Sequence, residues 1–298
     1  MTQRIFTPGS EWLYFKIYTG HRSADDLLIY YIYPLVKQLI NDKDIEQWFF
    51  IRYSDPNFHI RLRFKTIPEK YGKIFTLFND HFSVAVCNGL TYKIQCDTYI
   101  REIERYGEDT VELSEEFFFR DSSSILLLLN ELRNSTNIEQ DRWLLSLVLI
   151  DNMLDPIHSS IEDKSEFMNG ISQNFKVEFG FTNPNYLNQI AKKYRHYTKA
   201  IEQVFLFNGS SSISKYLTIL TERQKSITNI MIQIQQITRQ SLSEKEALNR
   251  QNSLLSSYVH MTMNRLFLSD NRTYELVIYD FLSRYYKSRI MRNNSNLV

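Results

Sequence analysis

Hydrophobic and polar residues follow two different patterns along the chain, and the change comes at about residue 112. Before it, short apolar or alternating runs typical of strands are interspersed with stretches of helical spacing. They predict strands over 11–20, 47–53, 59–64 and 92–100 and helices over 23–40 and 68–82. After it, helical spacing predicts helices near 112–120, 122–134, 138–154, 184–206, 212–236, 241–268 and 272–290. The expected fold class is α+β, with an N-terminal mixed strand and helix part and a largely helical C-terminal half.

Length and composition allow one large domain or two small ones. The chain has 298 residues, of which 43% are hydrophobic, and it contains no repeat of fixed period and no low-complexity linker. We expect one domain over 1–298; the alternative is two lobes, an α+β part over 1–111 and a helical part over 112–298. The long irregular stretch 165–186 is predicted to be a loop or a mobile cover of an active site.

Charge and cysteine content exclude several classes of protein. The formal net charge is +1 with both signs mixed along the chain, which argues against a general nucleic-acid binder but allows a focused anion site. Cys87 and Cys96 lack a C-x-x-C pattern, and no histidine cluster has the spacing of metal ligands. We therefore expect two reduced thiols, with a disulfide as the minor alternative, and no metal site.

Targeting and cofactor motifs are missing from the sequence. The first residues contain no long apolar segment, and no uninterrupted apolar stretch approaches the roughly 20 residues of a membrane span. The sequence also lacks the glycine-rich dinucleotide loop, the Walker A loop, the G-x-S-x-G elbow, the H-E-x-x-H motif and the EF-hand loop. We expect a cytoplasmic protein without a membrane span, a cofactor or a metal.

A strand with a basic face is the first candidate for chemistry. Residues 59–64 alternate strictly, so the apolar members should be buried while His59, Arg61 and Arg63 share the opposite face. Arg52 on the neighbouring strand joins this face if it points the same way. Arginine suits carboxylate and phosphate, because its planar guanidinium donates two parallel hydrogen bonds. The alternative is an exposed sheet face whose arginines pair with nearby acids.

Two further segments combine charged or titratable residues at helical spacing. In YIREIERYGED, Glu102 and Arg105 lie three residues apart, which also fits an ordinary salt bridge at a solvated helix end. In YVHMTMNRLF, His260 and Asn264 share one face of a predicted helix. Histidine is the side chain best suited to move protons near neutral pH, although a mid-helix histidine among apolar residues is usually part of the core.

Taken in order, these segments resemble one protein family, and the resemblance spans nearly the whole chain. The motifs are W-F-F-I-R-Y-S-D-P-N-F-H-I-R-L-R-F (48–64), E-I-E-R-Y-G (102–107), F-F-R-D-S (118–122) and H-M-T-M-N-R-L (260–266). They resemble the C-terminal elimination domain of class I lantibiotic dehydratases, also described as the thiopeptide-type bacteriocin biosynthesis domain. The far larger glutamylation domain that precedes it in full-length dehydratases is missing, so the chain resembles a stand-alone, split form.

The resemblance implies an activity and its partners. A separate glutamylation protein uses glutamyl-tRNA to esterify Ser or Thr side chains of a ribosomally made precursor peptide. The elimination domain then expels glutamate and leaves dehydroalanine or dehydrobutyrine, as in lanthipeptide or thiopeptide biosynthesis. No cofactor is implied, no direct nucleic-acid binding is expected, and a homodimer is left open.

The resemblance also implies roles for individual residues. The predicted catalytic residues are Arg61, Arg63, Arg105 and His260. Those predicted to bind substrate are Arg52, His59, Glu102, Asp121, Ser122, Asn264 and Arg265. The arginines would stabilise the departing carboxylate and the charge that develops on the peptide carbonyl, where losing one contact costs about 3 kcal/mol in comparable sites. His260 would act either as the base at the α-carbon or as the acid that assists departure, and Glu102 would orient Arg105.

One departure from the family and two alternative functions accompany this interpretation. Glu108 stands where the family often has a second glycine, which affects the turn after Arg105. Stand-alone members of the same fold in thiopeptide pathways catalyse a formal [4+2] cycloaddition that forms a pyridine ring. The other alternative is a non-catalytic subunit that only presents the precursor peptide. The intact set of arginines together with His260 favours elimination over both alternatives.

Overall fold

The computed structural model describes residues 2–206, 212–268 and 271–295. The chain divides into two compact units, one formed by residues 1–131 with 264–269 and the other by residues 132–263 with 270–298. The first unit combines antiparallel strands with helices, and the described part of the second is helical. The α+β prediction is therefore confirmed, while the predicted number of domains stays a prediction.

Strands and helices are interspersed in the first unit. Its strands are Ile5–Phe6 (β1), Trp12–Thr19 (β2), Gln47–Ser54 (β3), Phe58–Lys65 (β4), Thr91–Asp97 (β5) and Tyr99–Ile100 (β6). Its α-helices are Ala24–Leu27 (α1), Tyr33–Asn41 (α2), Tyr71–Cys87 (α3), Ile103–Tyr106 (α4) and Val111–Leu132 (α5), with a π-helical turn at Leu28–Ile32 and a 3-10 turn at Pro68–Lys70. The predicted helix over 23–40 is thus a continuous helical run over 24–41, with a π-helical turn just before Pro34, whose ring removes a backbone hydrogen bond of a regular helix.

The main sheet has the strand order β3-β4-β2-β5, and every neighbouring pair is antiparallel. The predicted hairpin of β3 and β4 is present, with Tyr53 opposite His59. In the middle of the sheet, Arg61 of β4 lies between Ile51 of β3 and Lys16 of β2. The short strands β1 and β6 pair separately.

One face of the sheet forms the core of the first unit. Ile60, Leu62 and Phe64 of β4 are fully buried, as their alternation predicts. Helix α3 covers this face, and the ring of Phe78 stacks on that of Phe15 with centroids 4.1 Å apart. Burying each such side chain contributes about 1.5–3 kcal/mol relative to leaving it in water. This packing fixes which face of β4 carries the arginines.

The second unit consists of long helices. They are Ile138–Leu154 (α6), Ile161–Glu178 (α7), Pro184–Leu206 (α8), Leu217–Ser241 (α9), Glu244–Leu266 (α10) and Asn271–Ser295 (α11), with a 3-10 turn at Ser214–Tyr216. The last residues of α10, from 264 onward, count with the first unit.

The prediction of an irregular stretch over 165–186 is wrong for most of its length. Helix α7 continues to Glu178, and α8 begins at Pro184. The Ser160 side chain caps α7 by accepting a hydrogen bond from the backbone N–H of Asp163, and the apolar side of α7 packs on α11. Tertiary burial therefore stabilises a helix where polar residues obscured the periodicity, and the stretch gives no support to a mobile cover.

Other expectations concern membrane spans, metals and thiols. In the part of the chain that the structure describes, no helix combines the length and apolarity that crossing a membrane requires. The same residues contain no group of three His, Cys, Asp or Glu side chains placed to hold a metal ion. Cys87 and Cys96 are both free thiols at exposed positions.

Candidate functional site

A row of polar side chains crosses the sheet on the face opposite the core. His59, Arg61 and Arg63 alternate with the buried residues of β4 and therefore share this face. Directly across from Arg61 and Arg63, strand β2 places Lys16 and Tyr14. The predicted basic strand is thus present, and its neighbour adds a further cation and a phenol that the sequence pattern did not single out.

Arg63 is a buried cation surrounded by aromatic rings. It is 7% exposed, and its guanidinium carbon lies 4.5 Å from the ring centre of Tyr14, 5.0 Å from that of Phe49 and 4.8 Å from that of Tyr99. Its Nε is buried and has no hydrogen-bond partner among the described residues. Burial lowers the pKa of the Arg63 guanidinium. An anion placed beside it would supply both the missing acceptor and the opposite charge.

Arg61 is oriented by two neighbours. Its guanidinium lies over the ring of Tyr53, 3.4 Å from the ring centre, and its Nε donates a hydrogen bond to Nε2 of His59 at 3.2 Å. The other ring nitrogen of His59, Nδ1, lies 2.8 Å from the carbonyl oxygen of Asn57, to which it donates. Burial lowers the pKa of His59, which agrees with a neutral ring. His59 therefore acts as an acceptor that positions Arg61 and is not a third repelling cation.

Lys16 forms an ion pair with Asp97 on the next strand, β5. The hydrogen bond that Lys16 donates to Asp97 raises the pKa of Lys16. Burial acts to raise the pKa of Asp97, but hydrogen bonds from Lys16 and from the backbone N–H of Thr98 outweigh it and the pKa is lowered. Both residues are therefore charged at neutral pH.

The E-x-E-R-Y-G segment forms the short helix α4 and the turn after it. Glu102 and Arg105 have side chains that are 62% and 42% exposed, and they form an i,i+3 pair with Nη1 and Oε2 3.4 Å apart. Gly107 has a φ of 80°, which favours glycine, so the turn forms although Glu108 follows it. The charge of Glu102 acts on Arg63 and tends to raise its pKa. The first unit therefore brings this turn within electrostatic reach of the basic strand.

Arg52 points away from this face, so the condition under which it would join Arg61 and Arg63 is not met. The register places Arg52 opposite Ile60, so its side chain lies on the core side of the sheet. There its Nη2 pairs with Asp25 at 2.5 Å, and its Nε donates to the carbonyl oxygen of Arg265 at 3.1 Å. These contacts give Arg52 a structural role, and its assignment to substrate binding has no support from its orientation.

Four other residues predicted to bind substrate secure the edge strand β3 or its supports. Asn264 accepts from the Arg52 backbone N–H at 2.9 Å and donates to its carbonyl at 2.8 Å. Ser122 accepts from the N–H of Phe50, and Arg265 donates to the Phe50 carbonyl while pairing with the buried Asp121. They complete the hydrogen bonding of β3, which pairs with none of the described strands on that side. A role for them in binding substrate stays a prediction.

His260 belongs to the second unit and has an acidic partner there. Its Nδ1 lies 2.7 Å from Oε1 of Glu275 on α11, and Glu275 is 1% exposed and also pairs with Arg272 at 3.1 Å. The His260 side chain is 22% exposed, and none of the described residues bonds to its Nε2. A carboxylate that accepts from Nδ1–H holds the ring in one tautomer and leaves Nε2 able to take or give a proton. This arrangement fits acid–base chemistry better than a core histidine.

Comparison with known proteins identifies the family. The family model described as "Lantibiotic biosynthesis dehydratase C-term" matches residues 12–286, which is most of the chain. The chain belongs to the lantibiotic dehydratase C-terminal family. The predicted resemblance is thereby confirmed. The motifs that carried it lie on the hairpin of β3 and β4, at the α4 turn, in α5 (118–122) and on the His260 helix.

Two relatives of this dehydratase C-terminal chain show how much of a longer protein it matches. It is 26% identical to the nisin biosynthesis protein NisB of Lactococcus lactis subsp. lactis over 287 residues, which cover 94% of the chain and 26% of NisB. It is 23% identical to the subtilin biosynthesis protein SpaB of Bacillus subtilis, over 99% of the chain and 27% of SpaB. The chain spans about a quarter of the length of these relatives.

Two solved structures share the fold of the chain. The tRNA-dependent lantibiotic dehydratase MibB from Microbispora sp. 107891 superposes with a TM-score of 0.76 and 21% identity, covering 97% of this chain and 29% of MibB. The pyridine synthase TbtD from thiomuracin biosynthesis superposes with a TM-score of 0.65 and 14% identity, covering 93% of this chain and 99% of TbtD. At these identities the likeness establishes the fold and leaves the reaction to be argued from the residues.

Proposed function

We propose that the chain is a lyase that eliminates glutamate from glutamylated Ser or Thr side chains of a ribosomally made precursor peptide. The Cα–H and Cβ–O bonds break, a Cα=Cβ double bond forms, and glutamate leaves as a carboxylate. The products are dehydroalanine from Ser and dehydrobutyrine from Thr. The reaction belongs in the cytoplasm, downstream of a glutamyl-tRNA-dependent protein that supplies the ester.

The observation that carries the proposal is the buried guanidinium of Arg63. Its Nε lacks a hydrogen-bond partner among the described residues, and aromatic rings surround it. Elimination builds negative charge on the peptide carbonyl and on the departing carboxylate. A cation already fixed in a low-dielectric surrounding stabilises such charge without reorganising, and one contact of this kind changes a rate by about 10²–10³-fold. Arg61, held by His59 and Tyr53, supplies a second fixed cation.

The remaining two residues assigned to catalysis are Arg105 and His260. Arg105 pairs with Glu102 in the turn after β6, which agrees with an orienting role for Glu102. His260 has an oriented ring and an exposed Nε2, the features that a proton-transfer residue requires. It moves a proton either from the substrate α-carbon or to the departing glutamate.

Mass spectrometry of a peptide with a synthetic Ser-O-glutamyl ester tests the proposal. Wild-type protein should release glutamate and leave dehydroalanine, whereas His260→Ala should still bind the peptide and not eliminate. His196→Ala, an exposed histidine on α8, is the matched control and should act as wild type. In deuterated water, reversible removal of the α-proton appears as deuterium in the ester that has not yet reacted, and if His260 is the base this exchange should disappear in His260→Ala.

The other functions are distinguished by the same assay. A cycloaddition enzyme, which the fold shared with TbtD makes the second candidate, would leave the glutamyl peptide unchanged and act on a peptide dehydrated at two positions. A non-catalytic presenting subunit would bind the peptide equally well with and without His260 and convert neither substrate. Failure of wild type to release glutamate from a peptide that it binds would overturn the elimination proposal.

A further inference from the structure

Lys16 stands beside Arg61 at the centre of the basic face. The two residues are directly opposite each other on β2 and β4, and such pairs have Cβ atoms about 5 Å apart. In the adjacent register row, Arg63 lies opposite Tyr14, which lies opposite Asp97. Like charges placed directly across a sheet destabilise it unless something compensates them. In these two described rows, three cations face a single acid, Asp97.

Asp97 accepts one hydrogen bond from the ammonium of Lys16 and leaves its other N–H donors available. The pair connects β2 to β5, and Asp97 is further fixed by the backbone N–H of Thr98 at 2.7 Å. An ammonium has three N–H donors, and Asp97 occupies one of them. The Lys16 side chain is 24% exposed, so its remaining donors are open to a ligand. Lys16 is therefore a tethered, partly hydrated cation, whereas Arg63 is a buried one.

A glutamyl ester has two carboxyl groups that carry negative charge at different stages of the reaction. An ester made from an aminoacyl-tRNA is formed through the α-carboxyl group, so the side-chain carboxylate of the glutamyl unit is ionised throughout the reaction. The α-carboxyl group becomes negative only as it departs. A permanent charge bound at a partly hydrated site loses little of its hydration, so its desolvation penalty is small. A developing charge is stabilised most by a buried, preorganised cation.

We propose that Lys16 binds the side-chain carboxylate of the glutamyl group and makes the site selective for glutamate over uncharged amino acids. This inference rests on the proposed function and assigns the two carboxyl groups within it. Arg61 and Arg63 then meet the carboxylate that departs. Neighbouring strands are about 4.8 Å apart, so cations on β2 and β4 are spaced to hold two carboxylates joined by a short chain.

The test compares two esters of the same peptide, one with glutamate and one with glutamine, whose side-chain amide has the same shape and no charge. Wild type should prefer the glutamyl ester. Lys16→Met should lower kcat/KM for the glutamyl ester about 10- to 150-fold, the effect of losing a charged hydrogen bond, and change the glutaminyl ester less than about 3-fold. Lys93→Met, a lysine on β5 of the same face, is the matched control and should keep the preference.

Each outcome separates this inference from the proposed function. If wild type releases no glutamate, elimination itself fails. If wild type eliminates and Lys16→Met retains the preference for glutamate, or loses activity equally on both esters, the assignment of Lys16 is overturned. Lys16→Arg keeps the charge and should keep the preference. Circular dichroism checks each variant, and Lys16→Gln replaces Lys16→Met if the methionine variant does not fold.

Discussion

The substitution Asp121→Asn would remove the negative charge from the fully buried ion pair of Asp121 and Arg265 in the first unit. Nη1 of Arg265 lies 2.9 Å from Oδ2 of Asp121, and both side chains are 0% exposed. Arg265 also donates from Nε to the Phe50 carbonyl on the edge strand β3. Asp121→Asn keeps the shape of the side chain, so its main effect is to leave a buried guanidinium without its carboxylate.

The expected cost is large because the surroundings are dry. Breaking a buried pair by changing one partner typically costs about 3–5 kcal/mol, since the other charge stays buried without compensation. The same helix offers a matched control in Glu116, which pairs with Arg120 at 3.3 Å while both side chains are about 34–45% exposed. Glu116→Gln should cost about 0.3–0.5 kcal/mol, because water screens an exposed i,i+4 pair.

Denaturation in urea gives the free energy of unfolding for wild type and both variants. Far-UV circular dichroism follows the helices, and tryptophan fluorescence reports largely on the first unit, where Trp12 and Trp48 are buried. Asp121→Asn should lose at least about 3 kcal/mol and Glu116→Gln less than about 1 kcal/mol. If the two variants are destabilised equally, the buried pair does not secure β3 as its geometry indicates.

Two more predictions concern the second unit. Glu275→Gln should lower kcat for elimination about 10- to 150-fold with little change in KM, because the carboxylate positions His260. Glu275→Asp should recover part of the lost kcat. An unchanged kcat in Glu275→Gln would refute the positioning role. Burial lowers the pKa of His158, so the unfolded chain takes up a proton first and stability should fall as pH drops below about 6.5. The loss of Tm between pH 7.5 and 5.5 should shrink in His158→Gln, and an identical loss would contradict the assignment.

Alternation along a single strand is a local property, and it predicted the two faces of β4 correctly. The orientation of Arg52 was not predictable in the same way, because β3 is apolar on both sides of that residue and shows no alternation. The side on which Arg52 lies depends on the register of the hairpin, in which Ser54 pairs with Phe58. One residue more or less in the turn would have moved every side chain of β3 to the other face.

Family motifs located the cations and the histidine but not the residues that position them. Glu275 lies 15 residues after His260 on the next helix, and nothing in its local sequence distinguishes it from Asp280, the other acid in α11. His59 looked like a third cation in the sequence, whereas its hydrogen bonds and lowered pKa identify it as a neutral acceptor for Arg61. Such roles depend on burial and on partners that come together only in the fold.

The position of Lys16 connects these points to the proposed chemistry. In the sequence it is a polar residue of an apolar strand, far from Arg61, and only the register of β2 against β4 makes the two neighbours. Asp97 offsets one of the three cations in the two central rows, so the face keeps an excess of positive charge that lowers its own stability. The ionised side-chain carboxylate of a glutamyl ester removes part of that penalty when the ester binds, and the departing α-carboxylate removes more as it forms. The same excess would have no use in a subunit that only presents an unmodified peptide, and selectivity for the glutamyl over the glutaminyl ester is therefore the property that separates an enzyme site from a presenting surface.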